Sequence, residues 1–522
     1  MAKKSFLSGA LILMIAGLAV RILGFVYRIY LSNLIGAEGM GLFGLISPVY
    51  SLIILTLTSG ISIAVSKLVA EEKAKNHDIN LLRITRCALA IVLSAGIIVS
   101  IFIYIKLDFI TKSILNDSRT YLSMLVLIPT IPAIAAASAI KGYFYGTQDV
   151  VPTAISQIVE QIVRIGLVML TASYFIRLGL EYACALATAG MAIGEISNLA
   201  VVYIVYLFKR KIWAKNLPLS GLMRKRNIIK NIIFISVPVS MNRFIVSILS
   251  AAEYVLIPQM LVLGGMPYKN SISVYGKLTG MAMPLIFFPS LVTSSLATAL
   301  VPAISEAVSL KNFKWANYRI SKSIQITLIL GFIFTSIFLS FPNEISDIMY
   351  RKQNVGPYLY SLSFTCAFLY LQQTLTGVLN GLGKQGIMLR NFIAASLIRI
   401  ACVYFLVPDY GINVYVIGIG VSMAFNCITN TYSIIRITGM TLDFGSWIIK
   451  PGVVCIIMLL INKYIFSFFN MFSLPNAATT LIAVSFSLFA SLVFLAFIGG
   501  IEKKELSRLF FHSKQNSRTL LM

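Results

Sequence analysis

Eight ionisable residues lie in stretches otherwise apolar enough to cross a membrane: Arg21, Arg28, Arg164, Arg243 and Arg399, with Glu160, Glu195 and Glu253. A charge placed there costs at least a few kcal/mol unless it faces water, a partner or a ligand. Long arginine side chains escape by snorkelling to an interface; otherwise they line a cavity. In "LAVRILGFVYRIYLS" (18–32), Arg21 and Arg28 are seven residues apart. A helix turns about 100° per residue, so the second arginine returns to within about 20° of the first. At about 1.5 Å of rise per residue from Lys4, Arg21 stands about 25 Å along the helix, past the bilayer middle, and Arg28 about 36 Å along, within reach of the far headgroups. Glu160 and Arg164 are spaced i, i+4 and can pair on one helix face. Arg243 and Glu253 are about 15 Å apart in height, so each needs its own partner. Glu195 follows Gly194 mid-span, where a carboxylate suits a coupling cation or proton, or in its neutral form an interhelical hydrogen bond. Arginines outnumber the acids, and guanidinium groups match phosphate oxygens through paired hydrogen bonds, so a cavity they lined would favour an anion.

The elements that must position these groups are membrane helices. The chain has 522 residues, 58% hydrophobic and 12% charged, with a mean hydropathy of +0.88. Apolar runs of about 19 to 30 residues, bounded by charges, Gly, Pro or Asn, suit helices crossing a hydrocarbon core about 30 Å thick. About fourteen spans are expected, among them 5–31, 40–68, 121–141, 273–303 and 357–379, an all-α polytopic architecture. Lys3 and Lys4 before the first run would also suit a signal peptide, but the helical pattern continues past any plausible cleavage site.

The net charge of +25 does not imply nucleic acid. With the N-terminus in the cytoplasm, most Lys and Arg fall in or beside cytoplasmic loops, the positive-inside asymmetry. The expectation is a multi-pass membrane protein with both termini on the cytoplasmic side. The densest basic stretch, "FKRKIWAKNLPLSGLMRKRNIIK" (208–230), suits anionic lipid headgroups and a linker between two halves. The six cysteines lie in or near apolar spans without a CxxC pair and read as small core residues. With His77 in a loop and His512 in the tail, a histidine-based metal site or triad has almost nothing to build from. No metal ligands, resident cofactor or catalytic residues are expected; any coupling would use a cation or the membrane potential. "GLGKQG" (381–386) satisfies GxGxxG but follows a spanning helix instead of a strand, so it reads as a tight turn.

That turn also reveals a repeat. "GTQDVVPTAISQIVEQIVRI" (146–165) and "GKQGIMLRNFIAASLIRI" (383–400) share Gly-x-Gln followed by a helix ending in Arg-Ile, about 235 residues apart, making Arg164 and Arg399 counterparts. A weaker echo joins "LFGLISPVYSLIILTLTSG" (42–60) to "VYGKLTGMAMPLIFFPSLVTS" (274–294), each with a proline after a Phe-Gly or Tyr-Gly pair. The even number of intervening spans gives parallel repeats. The expected division is an N-terminal lobe (1–208), a basic cytoplasmic linker (209–230), a C-terminal lobe (231–437), two further spans (438–499) and a cytoplasmic tail (500–522).

"RILGFVYRIYLSNLIGAEGMGLF" (21–43), "GISIAVSKLVAEE" (60–72) and "PTAISQIVEQIVRI" (152–165) resemble signature stretches of the stage V sporulation protein B family. That family sits in the superfamily of multidrug and toxin extrusion transporters, polysaccharide exporters and MurJ lipid II flippases. The resemblance implies a V-shaped alternating-access carrier, not an enzyme, that moves a polyprenyl-pyrophosphate-linked saccharide from inner to outer leaflet. The implied cargo is lipid II for spore cortex peptidoglycan, with cell-wall synthesis machinery as an implied partner. Cavity arginines matter in MurJ-like members; Arg21 matches the R-x-L-G-F motif, while Tyr27 and Arg28 stand where lipid II flippases have an Arg-Asp pair. Ser62 likewise replaces an expected proline. On this reading Arg21 and Arg28 meet the diphosphate, with Arg164, Arg243 and Arg399 as helpers. A drug/cation antiporter of the same fold would want a cavity rich in acids and aromatics; a membrane glycosyltransferase would want catalytic acids on sizeable loops; a scaffold gives no reason for arginines within spans.

Overall fold

A computed structural model describes residues 6–213, 222–351, 353–472 and 475–499. Lys3, Lys4, the middle of the expected linker (214–221) and the expected tail (500–522) lie outside the described residues. Among the described residues the chain is helical and without strands. The principal helices are α1 (Phe6–Ala74), α2 (Asp78–Ile105), α3 (Thr130–Gly146), α4 (Val151–Leu178), α5 (Leu180–Trp213), α6 (Lys225–Leu263), α7 (Tyr268–Tyr275), α8 (Ser290–Ser309), α9 (Phe313–Ser340), α10 (Cys366–Gly381), α11 (Gln385–Tyr410), α12 (Ile412–Thr438), α13 (Lys450–Asn470) and α14 (Asn476–Phe497).

Eleven described helices are long and apolar enough to cross a membrane, twelve when the bent pair Ser118–Leu127 and Thr130–Gly146 is taken as one span. The difference from fourteen has local causes. The first two expected spans are fused in α1, 69 residues long, whose two arms meet at Gly36. There φ is +69°, a left-handed conformation that glycine adopts without the clash a Cβ would bring. The expected span 357–379 is broken between Gly356–Ser363 and Cys366–Gly381, so neither piece is long enough alone. The expected span 273–303 is still counted, through α8, but opens with a π-helical turn, Gly276–Ala282, before Met283–Phe287.

Two compact units emerge, each described separately. The first holds the described residues up to Pro284 together with Phe392–Gly418; the second holds Leu285–Asn391 and the described residues from Ile419 on. In the first, Val65 and Leu68 of the second arm of α1 pack with Ile84 and Ala88 of α2, Ala139 and Phe144 of α3, Val202 of α5 and Ile232 of α6. In the second, one core joins Ile304 of α8, Ile324 of α9 and Val378 of α10, and another joins Ile333 of α9 to Met458 of α13 and Ala483 of α14. Large apolar side chains also face outward, Leu170 at 83% exposure and Phe497 at 83%, which suits helices solvated by hydrocarbon. All six cysteines are unpaired; Cys184, Cys366, Cys427 and Cys455 are buried.

Candidate functional site

Six of the eight intramembrane ionisable groups form three settings, all within the first unit. On α4, Arg164 Nη2 donates to Glu160 Oε1 at 2.6 Å, and Asn198 Nδ2 of α5 donates to the second oxygen, Glu160 Oε2, at 2.6 Å. The i, i+4 spacing thus closes as an ion pair, with side chains 15% and 12% exposed. The close approach of α4 and α5 follows from Gly194, where a Cβ would stand 3.1 Å from the Glu160 carbonyl oxygen. Glu195, half-buried on α5, interacts electrostatically with Glu160, Lys141 and Arg164. Lys141 of α3, at the edge of an expected span and absent from the candidates, interacts with Glu195 and Glu160. Three buried polar atoms here lack a hydrogen-bond partner among the described residues: Arg164 Nε, Gln161 Oε1 and Asn198 Oδ1.

In the second setting, Glu253 of α6 accepts from Arg399 Nε of α11 at 3.0 Å and from the Tyr415 hydroxyl of α12 at 3.0 Å. Arg399 Nη2 also donates to Ser396 Oγ at 3.3 Å. Both partners are well buried, with side chains 12% and 6% exposed for Arg399 and Glu253. The repeat counterparts Arg164 and Arg399 therefore do the same thing, each holding one buried carboxylate. Tyr254, beside Glu253, interacts with Glu253, Arg399 and Arg28 and lines a cavity of about 260 Å³ with Ser47, Ser51, Ser247 and Ser250.

The third setting is Arg28, partly buried on the first arm of α1. Its Nε donates to the Gly280 carbonyl at 3.2 Å and its Nη2 to the Thr279 carbonyl at 3.1 Å. Both acceptors lie in the π-helical turn. Nearby, the Tyr275 hydroxyl of α7 donates to the Gly44 carbonyl of the second arm at 2.9 Å. Part of the Arg28 guanidinium, which the sequence expects at a cavity or at the far headgroups, is engaged with backbone. Arg21, on the first arm, and Arg243, on α6, are exposed.

Beyond the Gly36 kink an ionic cluster gathers at loop ends. Arg119 reaches Glu38 at 2.7 Å and Asp117 at 2.7 Å, and the Tyr268 hydroxyl donates to Asp117 Oδ2 at 3.0 Å. Burial, and then the Asp117 carboxylate, push the Tyr268 hydroxyl above its ordinary pKa. Among the described residues, no group of three or more His, Cys, Asp or Glu could hold a metal ion.

Glu160 is held by Arg164 and Glu253 by Arg399, while Glu195 interacts electrostatically with Glu160, Lys141 and Arg164. Arg21 and Arg243 stand outside these three settings, exposed on the first arm of α1 and on α6.

Comparison with known proteins places this arrangement in context. Residues 6–308 match the family model described as polysaccharide biosynthesis protein, and residues 238–405 match the MatE model. The chain is 30% identical over 461 residues to stage V sporulation protein B of Bacillus subtilis (strain 168), covering 87% of this chain and 88% of that one. Its fold is similar to that of the lipid II flippase MurJ in an inward closed conformation, with a TM-score of 0.71, 15% identity and coverage of 95% of this chain and 100% of that one. It is also similar to a multidrug resistance MATE family transporter of the MOP superfamily in an inward-facing conformation, with a TM-score of 0.65, 16% identity and coverage of 82% and 98%.

Proposed function

The chain belongs to the polysaccharide biosynthesis protein family, and from that premise we propose that it is an alternating-access flippase for a polyprenyl-pyrophosphate-linked saccharide. The polar head of such a lipid cannot cross hydrocarbon unaided, whereas its tail never needs to leave it. The protein has only to shelter the head, and a diphosphate needs cations at bilayer depth. The observation that carries this reading is exposure: Arg21 and Arg243 are exposed guanidinium groups on spanning helices, while the acids Glu160 and Glu253 are engaged by Arg164 and Arg399 within the fold. We assign first contact with the diphosphate to Arg21 and Arg243, with Arg28 joining them and Arg164 and Arg399 holding the surrounding framework. Glu195 is the remaining candidate for a coupling proton or cation.

The finer assignment is lipid II as cargo, carried from inner to outer leaflet of a bacterial cytoplasmic membrane with both termini cytoplasmic. It is supported by the likeness to stage V sporulation protein B and to a lipid II flippase. On this reading residues 1–208 and 231–437 form two lobes that rock about the site, the linker 209–230 rests on anionic lipids, and cell-wall synthesis enzymes receive the product. A drug/cation antiporter is the second reading, favoured by the MatE match and the MATE-like fold; a cationic drug would meet the exposed guanidinium groups of Arg21 and Arg243 unfavourably. Reconstitution into vesicles separates the two. A fluorescent lipid-linked sugar loaded in one leaflet should become accessible to a quencher on the opposite side, and protonated dyes should not be moved. Dye export without lipid movement would remove the flippase assignment.

A further inference from the structure

The two contacts that tie α1 to the segment after α6 share an origin in proline. Pro48 lies inside α1 and has no N–H, so the carbonyl four residues back, Gly44, loses its intrahelical donor. That carbonyl is the one that accepts from the Tyr275 hydroxyl. In the second half, Met283 N–H bonds Leu278 O in the π register. The next donor would be Pro284, which could have served Thr279 O in a π register or Gly280 O in an α register. Arg28 donates to both of these carbonyls. Each of these prolines follows the Phe-Gly or Tyr-Gly pair of the expected repeat. Each opens a gap in its own helix, and each gap is closed by a side chain from the other half of the chain. The surfaces between them are shaped for closure: a Cβ on Gly276 would collide with the Ala37 carbonyl oxygen and the Gly41 backbone.

We propose that this seam is a latch released by the cargo: an anionic diphosphate headgroup competes with the Thr279 and Gly280 carbonyls for the Arg28 guanidinium, and its capture of Arg28 unfastens α1 from the π-helical turn. A guanidinium donates more strongly to an ionised phosphate than to a neutral carbonyl, so the exchange is favourable once the headgroup arrives. It also exposes the carbonyl that Pro284 leaves without a helical donor, which makes the open seam a high-energy state that closes again when the headgroup leaves. Arg28 is then a residue that senses the anion as well as binding it, and Tyr275 is a positioning residue that fastens the seam without touching the cargo. This inference rests on the flippase reading.

Hydrogen–deuterium exchange on the full-length protein in detergent tests it, with undecaprenyl pyrophosphate as probe, undecaprenol and inorganic pyrophosphate as controls, and thermal stabilisation as a separate measure of binding. The pyrophosphate lipid should raise exchange severalfold in peptides covering 37–48 and 272–287, and undecaprenol should not. Arg28→Gln should show raised exchange without lipid and no further response. Tyr275→Phe should show raised exchange yet keep the response. If the lipid stabilises the wild type but leaves these peptides unchanged, or if Arg28→Gln responds like the wild type, the latch is wrong and the flippase reading stands. If the lipid stabilises the wild type no more than undecaprenol does, both fall. A response to inorganic pyrophosphate equal to that of the lipid would overturn the lipid headgroup as the trigger.

Discussion

Removing Arg399 should expose how much the fold depends on its buried charge pairs. The Glu253 side chain is 6% exposed and accepts from Arg399 and from Tyr415. In Arg399→Gln the carboxylate keeps the tyrosine hydroxyl but loses its counter-charge in a medium that cannot solvate it. Breaking one side of a buried pair costs about 3–5 kcal/mol, and Glu253→Gln should cost a similar amount by stranding the guanidinium. Independent sites would add, so the double variant would then lose about 6–10 kcal/mol. Because the two side chains answer one another, the double variant should instead lose little more than either single one, a coupling of about 3 kcal/mol or more. Unfolding in mixed detergent–SDS micelles, followed by intrinsic fluorescence, gives the three differences. Additive losses would refute the pairing as an energetic unit and, with it, the claim that this acid is neutralised within the fold.

Arg21→Ala and Arg243→Ala should leave unfolding midpoints within about 0.5 kcal/mol of the wild type while abolishing or sharply slowing lipid movement in vesicles; unchanged transport would remove the residue concerned from the mechanism. Gly276→Ala should destabilise by about 1–3 kcal/mol through overpacking against the second arm of α1, measured as a lowered thermal midpoint, and a neutral result would argue that the seam is loose. The Ser446 N–H donates to Asp443 Oδ1 at 3.0 Å, and that bond holds the Asp443 carboxyl below its ordinary value of 3.8. Since the folded value is the lower one, the stabilisation is present above 3.8 and fades as pH falls through the folded value. Amide exchange at Ser446 should therefore accelerate, relative to its intrinsic rate, as pH drops below 3.8, and Asp443→Asn should remove that pH dependence.

Much of the fold was legible because apolar runs of spanning length leave the backbone no alternative to helix. The Glu160–Arg164 pair was legible too, since both partners lie on one helix at a spacing that geometry alone decides. The partner of Glu253 was not, for Arg399 is 146 residues away and nothing local in either sequence points to the other. The repeat carried a usable signal, because it made Arg164 and Arg399 counterparts, and a counterpart of an arginine with an acid beside it is a candidate to hold one as well. Lys141 escaped notice because its position at the edge of an expected span made it read as a boundary charge. The breaks at Gly36 and between Gly356–Ser363 and Cys366–Gly381 were hidden for a different reason: hydropathy reports burial in lipid and is blind to whether a helix runs straight through it.

The contacts of Arg28 were the least legible, since their acceptors are backbone carbonyls, which every residue carries. Yet proline was the signal. In water a carbonyl without its intrahelical donor is served by solvent, and a proline in a helix is a local defect. In hydrocarbon it becomes an unsatisfied acceptor that a side chain must answer, so an intramembrane proline marks a place where something polar is expected from a neighbouring element. Pro48 and Pro284 each call for such a donor, and the donors come from the opposite half of the chain. The same scarcity of water that makes a guanidinium at this depth attractive to a diphosphate also makes it attractive to an orphaned carbonyl. One cation placed between the two therefore links the binding of cargo to the fastening of helices, through competition for the same N–H groups and without any need for a separate relay.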